Sequence, residues 1–147
     1  MSAQLKGPFS AQEIADFLAD TRFPVRLACV GDDGYPRVVS VWFVYLEGKL
    51  FCASHRSSQL VALLGASPRV GFEVAPNAPP YFGVRGQGDA VLAAQGGAEM
   101  LEQLLSRYLG GHDSSLAKWL LSRSEDEVLI TITPRRWFSW DYRERMD

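Results

Sequence analysis

Residues 34–54 read GYPRVVSVWFVYLEGKLFCAS, and their pattern sets the fold class. Positions 37–45 are dense in β-branched and aromatic side chains, which favour extended backbone on a half-buried pleated surface. Glu47-Gly48 has turn composition, and 49–53 is a second apolar run. A connection this short cannot form a parallel crossover, so the two runs are antiparallel neighbours. Strand alternation puts Val38, Ser40, Trp42 and Val44 on one face and Val39, Val41, Phe43 and Tyr45 on the other.

Working outward, 25–30 is an apolar run that leads through GDDG (31–34), a turn composition, into the first of these strands, which makes a three-stranded meander. Ser10-Ala11-Gln12-Glu13 fits a capping box, with Phe9 and Ile14 placed as a hydrophobic staple. The amphipathic helix that follows should end near Thr21. After the meander, Leu60, Val61, Leu63 and Leu64 predict a brief helix closed by Gly65, with Pro68 barring its continuation. Residues 69–75 alternate strictly, and 81–93 is a longer extended run whose glycines at 83, 86 and 88 predict bulges or bends. Leu101, Leu104, Leu105 and Tyr108 give a helix ended by Gly110-Gly111, and Leu116, Trp119 and Leu120 mark another. A last strand at 128–133 continues past Pro134 into the aromatic tail Trp137, Phe138, Trp140 and Tyr142. Six antiparallel strands would leave open edges unless the sheet curls, so the expected fold is one domain over 1–147, a small β-barrel with peripheral helices.

The bulk numbers agree. A chain of 147 residues with 47% hydrophobic and 22% charged side chains can bury one core, as a soluble globular domain does. Its net charge of −2 offers no basic face for nucleic acid, and no apolar run is long enough to span a bilayer. The first residues, MSAQLKGPFS, have no apolar signal-peptide core, which makes the cytoplasm the default expectation. Cys29 and Cys52 both lie in apolar runs and read as small buried core residues rather than a disulfide or a zinc pair.

The run 34–54, the helix after it, SPRVGFEV (67–74) and TPRRWFSWD (133–141) resemble the pyridoxamine 5′-phosphate oxidase-like superfamily of flavin-binding split barrels. The likeness extends over nearly the whole chain in order and spacing, with no single diagnostic motif. It implies a six-stranded antiparallel split β-barrel that forms a homodimer, with a cofactor site at each end of the shared interface. The superfamily includes FMN enzymes, enzymes of the deazaflavin F420, and proteins that bind haem or have no redox cofactor, so fold alone does not name the activity.

The resemblance directs attention to Ser54-His55-Arg56-Ser57-Ser58-Gln59, the elbow between the third strand and its helix. A flavin phosphate is an anion that suits hydroxyl donors, helix N-terminal amides and a cation. Aligned on Pro68, the superfamily's two hydroxyls fall on Ser54 and Ser58, but its lysine position falls on Leu60. Arg56 or Arg69 can supply the missing charge; sliding by one residue puts neutral Gln59 there instead. The serines read equally as plain helix caps. Relatives often carry proline where Ser40 stands, and the backbone amides of Val39, Ser40, Val41 and Trp42 are the implied contacts for a flavin ring edge.

Other residues carry weaker signals. Gly83-Val84-Arg85-Gly86-Gln87-Gly88 looks like a dinucleotide loop but opens no helix, which excludes that reading. Arg85 is either an exposed charge or, by resemblance, a pocket residue. Trp137 is either core or a ring that stacks on the partner's flavin. His55 and His112 read as loop histidines. Glu99, Glu102, Gln103 and Arg107 read as a solvated helix face. The expectation is therefore an FMN-binding oxidoreductase that passes hydride to or from a small organic molecule. The alternatives are an F420-dependent enzyme, a non-catalytic flavin- or haem-binding protein, and a purely structural dimer. Oxidation of pyridoxamine phosphate itself is not expected, since the chain shows no second basic cluster for a substrate phosphate.

Overall fold

In the computed structural model, which describes residues 3–146, the chain builds eight strands and four helices. In order these are β1 (Gln4–Lys6), α1 (Ala11–Asp20), β2 (Val25–Val30), β3 (Pro36–Val41), β4 (Val44–Leu46), β5 (Lys49–His55), α2 (Gln59–Ala66), β6 (Arg69–Val74), β7 (Phe82–Ala93), α3 (Gly97–Leu109), α4 (Ser115–Leu121) and β8 (Glu127–Asp141). The capping box forms as read: Ser10 Oγ accepts from the Glu13 amide, and Glu13 Oε1 accepts from the Ser10 amide, both at 3.1 Å. Helix α2 does not stop at Gly65. It runs to Ala66 because the turn is set by Ser67, held extended (φ −145°, ψ 113°) by the ring of Pro68 behind it.

Two departures raise the strand number from six to eight. The run expected over 37–45 breaks at Trp42-Phe43, so β3 pairs with β2 while β4 pairs with β5. Strand β1 adds a three-residue parallel contact to β8. All three of its side chains are exposed, which leaves no periodic signal to find.

The strand order β3-β2-β6-β7-β8-β5-β4 explains the curvature. Laid flat, seven strands would span roughly 29 Å. Yet the two edge strands are consecutive in the chain, with only Trp42 and Phe43 between them, a reach of about 11 Å. The edges must therefore lie side by side, and the antiparallel sheet curls into the half-barrel of a split-barrel fold.

Alternation along each strand fills the interior with Val25, Leu27 and Cys29, Leu50 and Cys52, Val70, Phe72 and Val74, and Ile130 and Ile132. Both cysteines are free and buried, and burial pushes the Cys52 thiol up to about 12. Helix α1 covers one side with Ile14 and Leu18, and α2 another with Leu60 and Leu64. Across β6, β7 and β8, Phe72, Gly86 and Trp137 stand in register, and the two rings meet edge-on at 5.0 Å above the glycine. A Cβ on Gly86 would sit 2.2 Å from the Arg136 carbonyl oxygen and 2.6 Å from Phe72 Cζ. Gly86→Ala should therefore destabilise the fold by about 1–3 kcal/mol through overpacking, read as a lower urea midpoint at unchanged slope.

Candidate functional site

The break at Trp42-Phe43 opens a gap in the barrel wall. In the β4–β5 ladder Val44 faces Phe51 and Leu46 faces Lys49, so the same register continued backward would set Val41 against Ser54. Instead the chain peels away, and Val41 pairs with Val25 on β2. One bank of the gap is the free edge of β3, where every second residue turns its N–H and C=O away from β2. The other bank is the end of β5 and the elbow.

In the elbow, the Ser54 hydroxyl donates to Ser58 Oγ at 2.8 Å, and Ser58 Oγ accepts the Val61 amide at 3.1 Å as the N-cap of α2. The Ser58 proton and the uncapped N–H groups of Gln59 and Leu60 remain as donors at the helix end. His55 Nδ1 accepts from the Ser57 amide at 3.2 Å and from the Ser57 hydroxyl at 2.7 Å, which puts the ring proton on Nε2. Arg56 lies outward, 70% exposed, with its Nε 3.1 Å from Asp126 Oδ1 and its amide donating to the Asp126 carbonyl at 2.9 Å. Asp126 Oδ2 also stands 3.7 Å from His55 Nε2. An exposed ion pair of this kind contributes little and yields readily to a competing anion.

Leu60, at the superfamily's lysine position, is only 4% exposed and packs in the core beside Leu64. It cannot serve an anion. Of the candidate cations only Arg56 stands in the elbow; Arg69 begins β6, beyond α2. Glu127, opposite His55 in the β5–β8 register, is buried, and its Oε2 has no hydrogen-bond partner among the described residues. Burial pushes its carboxyl above the usual range, partly offset by the nearby Arg123.

Other expected residues are distributed more widely. Val39 and Val41 pack partly against the core, and Ser40 is exposed between them. The Trp42 ring is taken up by Tyr108, stacked at 5.2 Å and 9°. Gln59 is exposed at the first position of α2. Arg85 is exposed on β7, with its guanidinium 5.8 Å from the Phe138 ring centre and 5.5 Å from that of Trp140. Trp137 is 3% exposed, its ring enclosed by Tyr45 and Phe72. Within one chain, then, Ser54 to Gln59 form one elbow, Val39 to Val41 lie on the free edge strand, and Arg85 and Trp137 stand apart from the elbow. Arg107 departs from the solvated-face reading: its guanidinium donates to the carbonyls of Leu18, Ala19 and Thr21 and lies over the Phe43 ring at 5.2 Å. Sequence reasoning missed Asp126 and Glu127. Their signal was the acidic run Ser124-Glu125-Asp126-Glu127 ahead of the last strand.

The sequence of the chain matches the family model of pyridoxamine 5′-phosphate oxidase across residues 10–141. The chain belongs to the pyridoxamine 5′-phosphate oxidase family. A conserved hypothetical protein from Mycobacterium tuberculosis is 26% identical with a TM-score of 0.79, over 94% of this chain and 88% of that one. An F420 reductase is 22% identical with a TM-score of 0.70, over 83% and 94%. The haem storage protein HutZ from Vibrio cholerae is 19% identical with a TM-score of 0.64, over 84% and 89%. A search of curated proteins gives no match. Of these solved structures one is named for F420 and one for haem, and what they share with this chain is the fold.

The buried Glu127 makes stability pH-dependent. Its folded carboxyl holds a proton more tightly than the unfolded one, whose ordinary value is 4.5, so the unfolded chain binds fewer protons above that pH and stability falls as pH rises. Glu127→Gln should remove that decline. Urea unfolding at pH 4 to 8 should show the variant gaining on the parent protein as pH rises through and above 4.5.

Proposed function

We propose that this chain is an oxidoreductase that binds FMN in the split of a homodimer and acts on a small organic molecule. The observation that supports the reading is the gap itself, with a free strand edge on one bank and a hydroxyl-lined helix start with a displaceable arginine on the other. The Ser58 hydroxyl and the amides of Gln59 and Leu60 would hold the terminal phosphate, and Arg56 would leave Asp126 to join them. The unpaired N–H and C=O groups of β3 between Val39 and Trp42 would orient the polar edge of the ring. When bound, FMN supplies the hydride-carrying chemistry, and this chain contributes position and exclusion of water.

A second copy would cover the outer face of the sheet. Val30, Val38 and Val91 are 49%, 69% and 62% exposed there, and a cleft of about 640 Å³ runs over Ala28 and Gly71. Apolar exposure of this kind marks an interaction surface.

One observation favours F420 as the second reading. FMN ends in a phosphate monoester with close to two negative charges, whereas the F420 phosphate is a diester with one, followed by an anionic tail for which Arg69 and Arg85 are the further cations. An elbow with a buried Leu60 in place of lysine, and an arginine already shared with Asp126, suits the smaller charge. The test is to purify the protein without added cofactor, record its visible spectrum, and titrate FMN and F420 separately. Arg56→Ala should weaken FMN binding about tenfold, the effect of one charge-assisted contact. Asp126→Asn should strengthen FMN binding and change F420 binding less. Unchanged affinity in both variants would remove the elbow from the site.

A further inference from the structure

A second cavity lies at the other end of β5. Strand β5 runs from Lys49 to His55, so its start is about 20 Å from the elbow. The cavity has a volume of about 610 Å³, within the range of small-molecule sites. Its inner wall is core: Ile14 is 2% and Trp137 3% exposed, and Tyr45 stands edge-on to Trp137 at 5.9 Å and 85°. Leu5 on β1, in register with Trp137, forms one side. The rim is the β4–β5 hairpin, with Glu47 and Lys49 both exposed.

The polar groups here are unspent. Among the described residues the Tyr45 hydroxyl makes no hydrogen bond, and neither Lys49 nor Glu47 joins an ion pair. Burial pushes the Tyr45 phenol above its ordinary 10, so it stays a donor at neutral pH. An apolar chamber backed by aromatic rings, with a hydroxyl donor and an ammonium at its mouth, matches an amphipathic molecule with one acceptor end. Glu47, two residues from Lys49 on the same rim, disfavours a second negative charge, which sets this chamber apart from the cofactor site.

We propose that this cavity binds a small ring-bearing monocarboxylate, its ring against Leu5 and Tyr45 and its carboxylate on Lys49 and the Tyr45 hydroxyl. The ring replaces water against Leu5, which is 41% exposed, and the half-buried Tyr45, which supplies the affinity, and Lys49 selects the charge. Strand β1, which pairs with β8 over three residues, is the side through which a ligand enters.

The test uses phenylbutyrate, phenylbutanol and phenylbutylamine as probes, titrated into the isotope-labelled full chain and followed by NMR. Phenylbutyrate should shift the Leu5 and Lys49 amides and the Trp137 indole N–H while leaving the Ser54 to Gln59 amides in place. Lys49→Met should weaken phenylbutyrate about three- to tenfold without changing phenylbutanol. Ala11→Trp, which fills the cavity from its rim, should abolish both while thermal unfolding and FMN affinity stay as in the parent. Absent shifts, shifts confined to other residues, or phenylbutylamine binding as tightly as phenylbutyrate would overturn the proposal. Failure of FMN to bind would sink the elbow reading alone and leave this result untouched.

Discussion

Two residues, Trp42 and Phe43, join the edges of a seven-strand path, and most of the architecture answers to that short tether. Phe43 is fully buried, its amide donates to the Tyr108 hydroxyl at 3.3 Å, and its ring lies under the Arg107 guanidinium. Trp42 leaves on the opposite face and stacks on Tyr108. Because Tyr108 also donates to the Phe23 carbonyl, and Arg107 caps the last carbonyls of α1, helix α3 ties the tether, α1 and β2 into one joint. A guanidinium at a helix C-terminus meets the negative end of the dipole, which explains why this cation is placed without a carboxylate.

The same tether makes the split. A strand that pairs with β5 at one end and β2 at the other cannot stay on both ladders, so the wall opens where it changes partner. The elbow lies at that opening because β5 outlasts β4 by four residues, ending at His55 against Glu127. What occupies the elbow in this chain is mostly its own side chains: serine on serine, serine on histidine, arginine on aspartate. Each of these contacts is exposed or half-buried and therefore weak, which leaves the elbow a closed hand that an anion can open rather than a prepared cage.

The barrel interior keeps its two ends apart. Phe72 and Trp137 meet over Gly86 in the middle of the sheet, and the bulge at Gln87/Gly88 beside it lets β8 continue past Pro134. Overpacked with one more methyl group, this layer has no room; toward the β4–β5 hairpin, by contrast, Tyr45 and Trp137 bound an open chamber. One end of the fold presents charge and backbone donors, the other an apolar recess with a charged rim.

Local sequence pattern determined the four helices and six extended runs, the capping box at Ser10, the burial of both cysteines and the polar character of the elbow. These depend on side chains a few residues apart, where backbone geometry is local. The partition of 37–45 into two strands was not legible, because an unbroken β-branched run carries no mark of a change of partner. Nor was the attachment of Asp126 to Arg56, which are seventy residues apart in sequence. Trp137, Leu60 and Arg107 show the same limit: whether an aromatic, an aliphatic or a cationic side chain meets ligand, core or a helix end depends on which surface closes over it. That closure is a property of the curled sheet, and only the tertiary structure decides it.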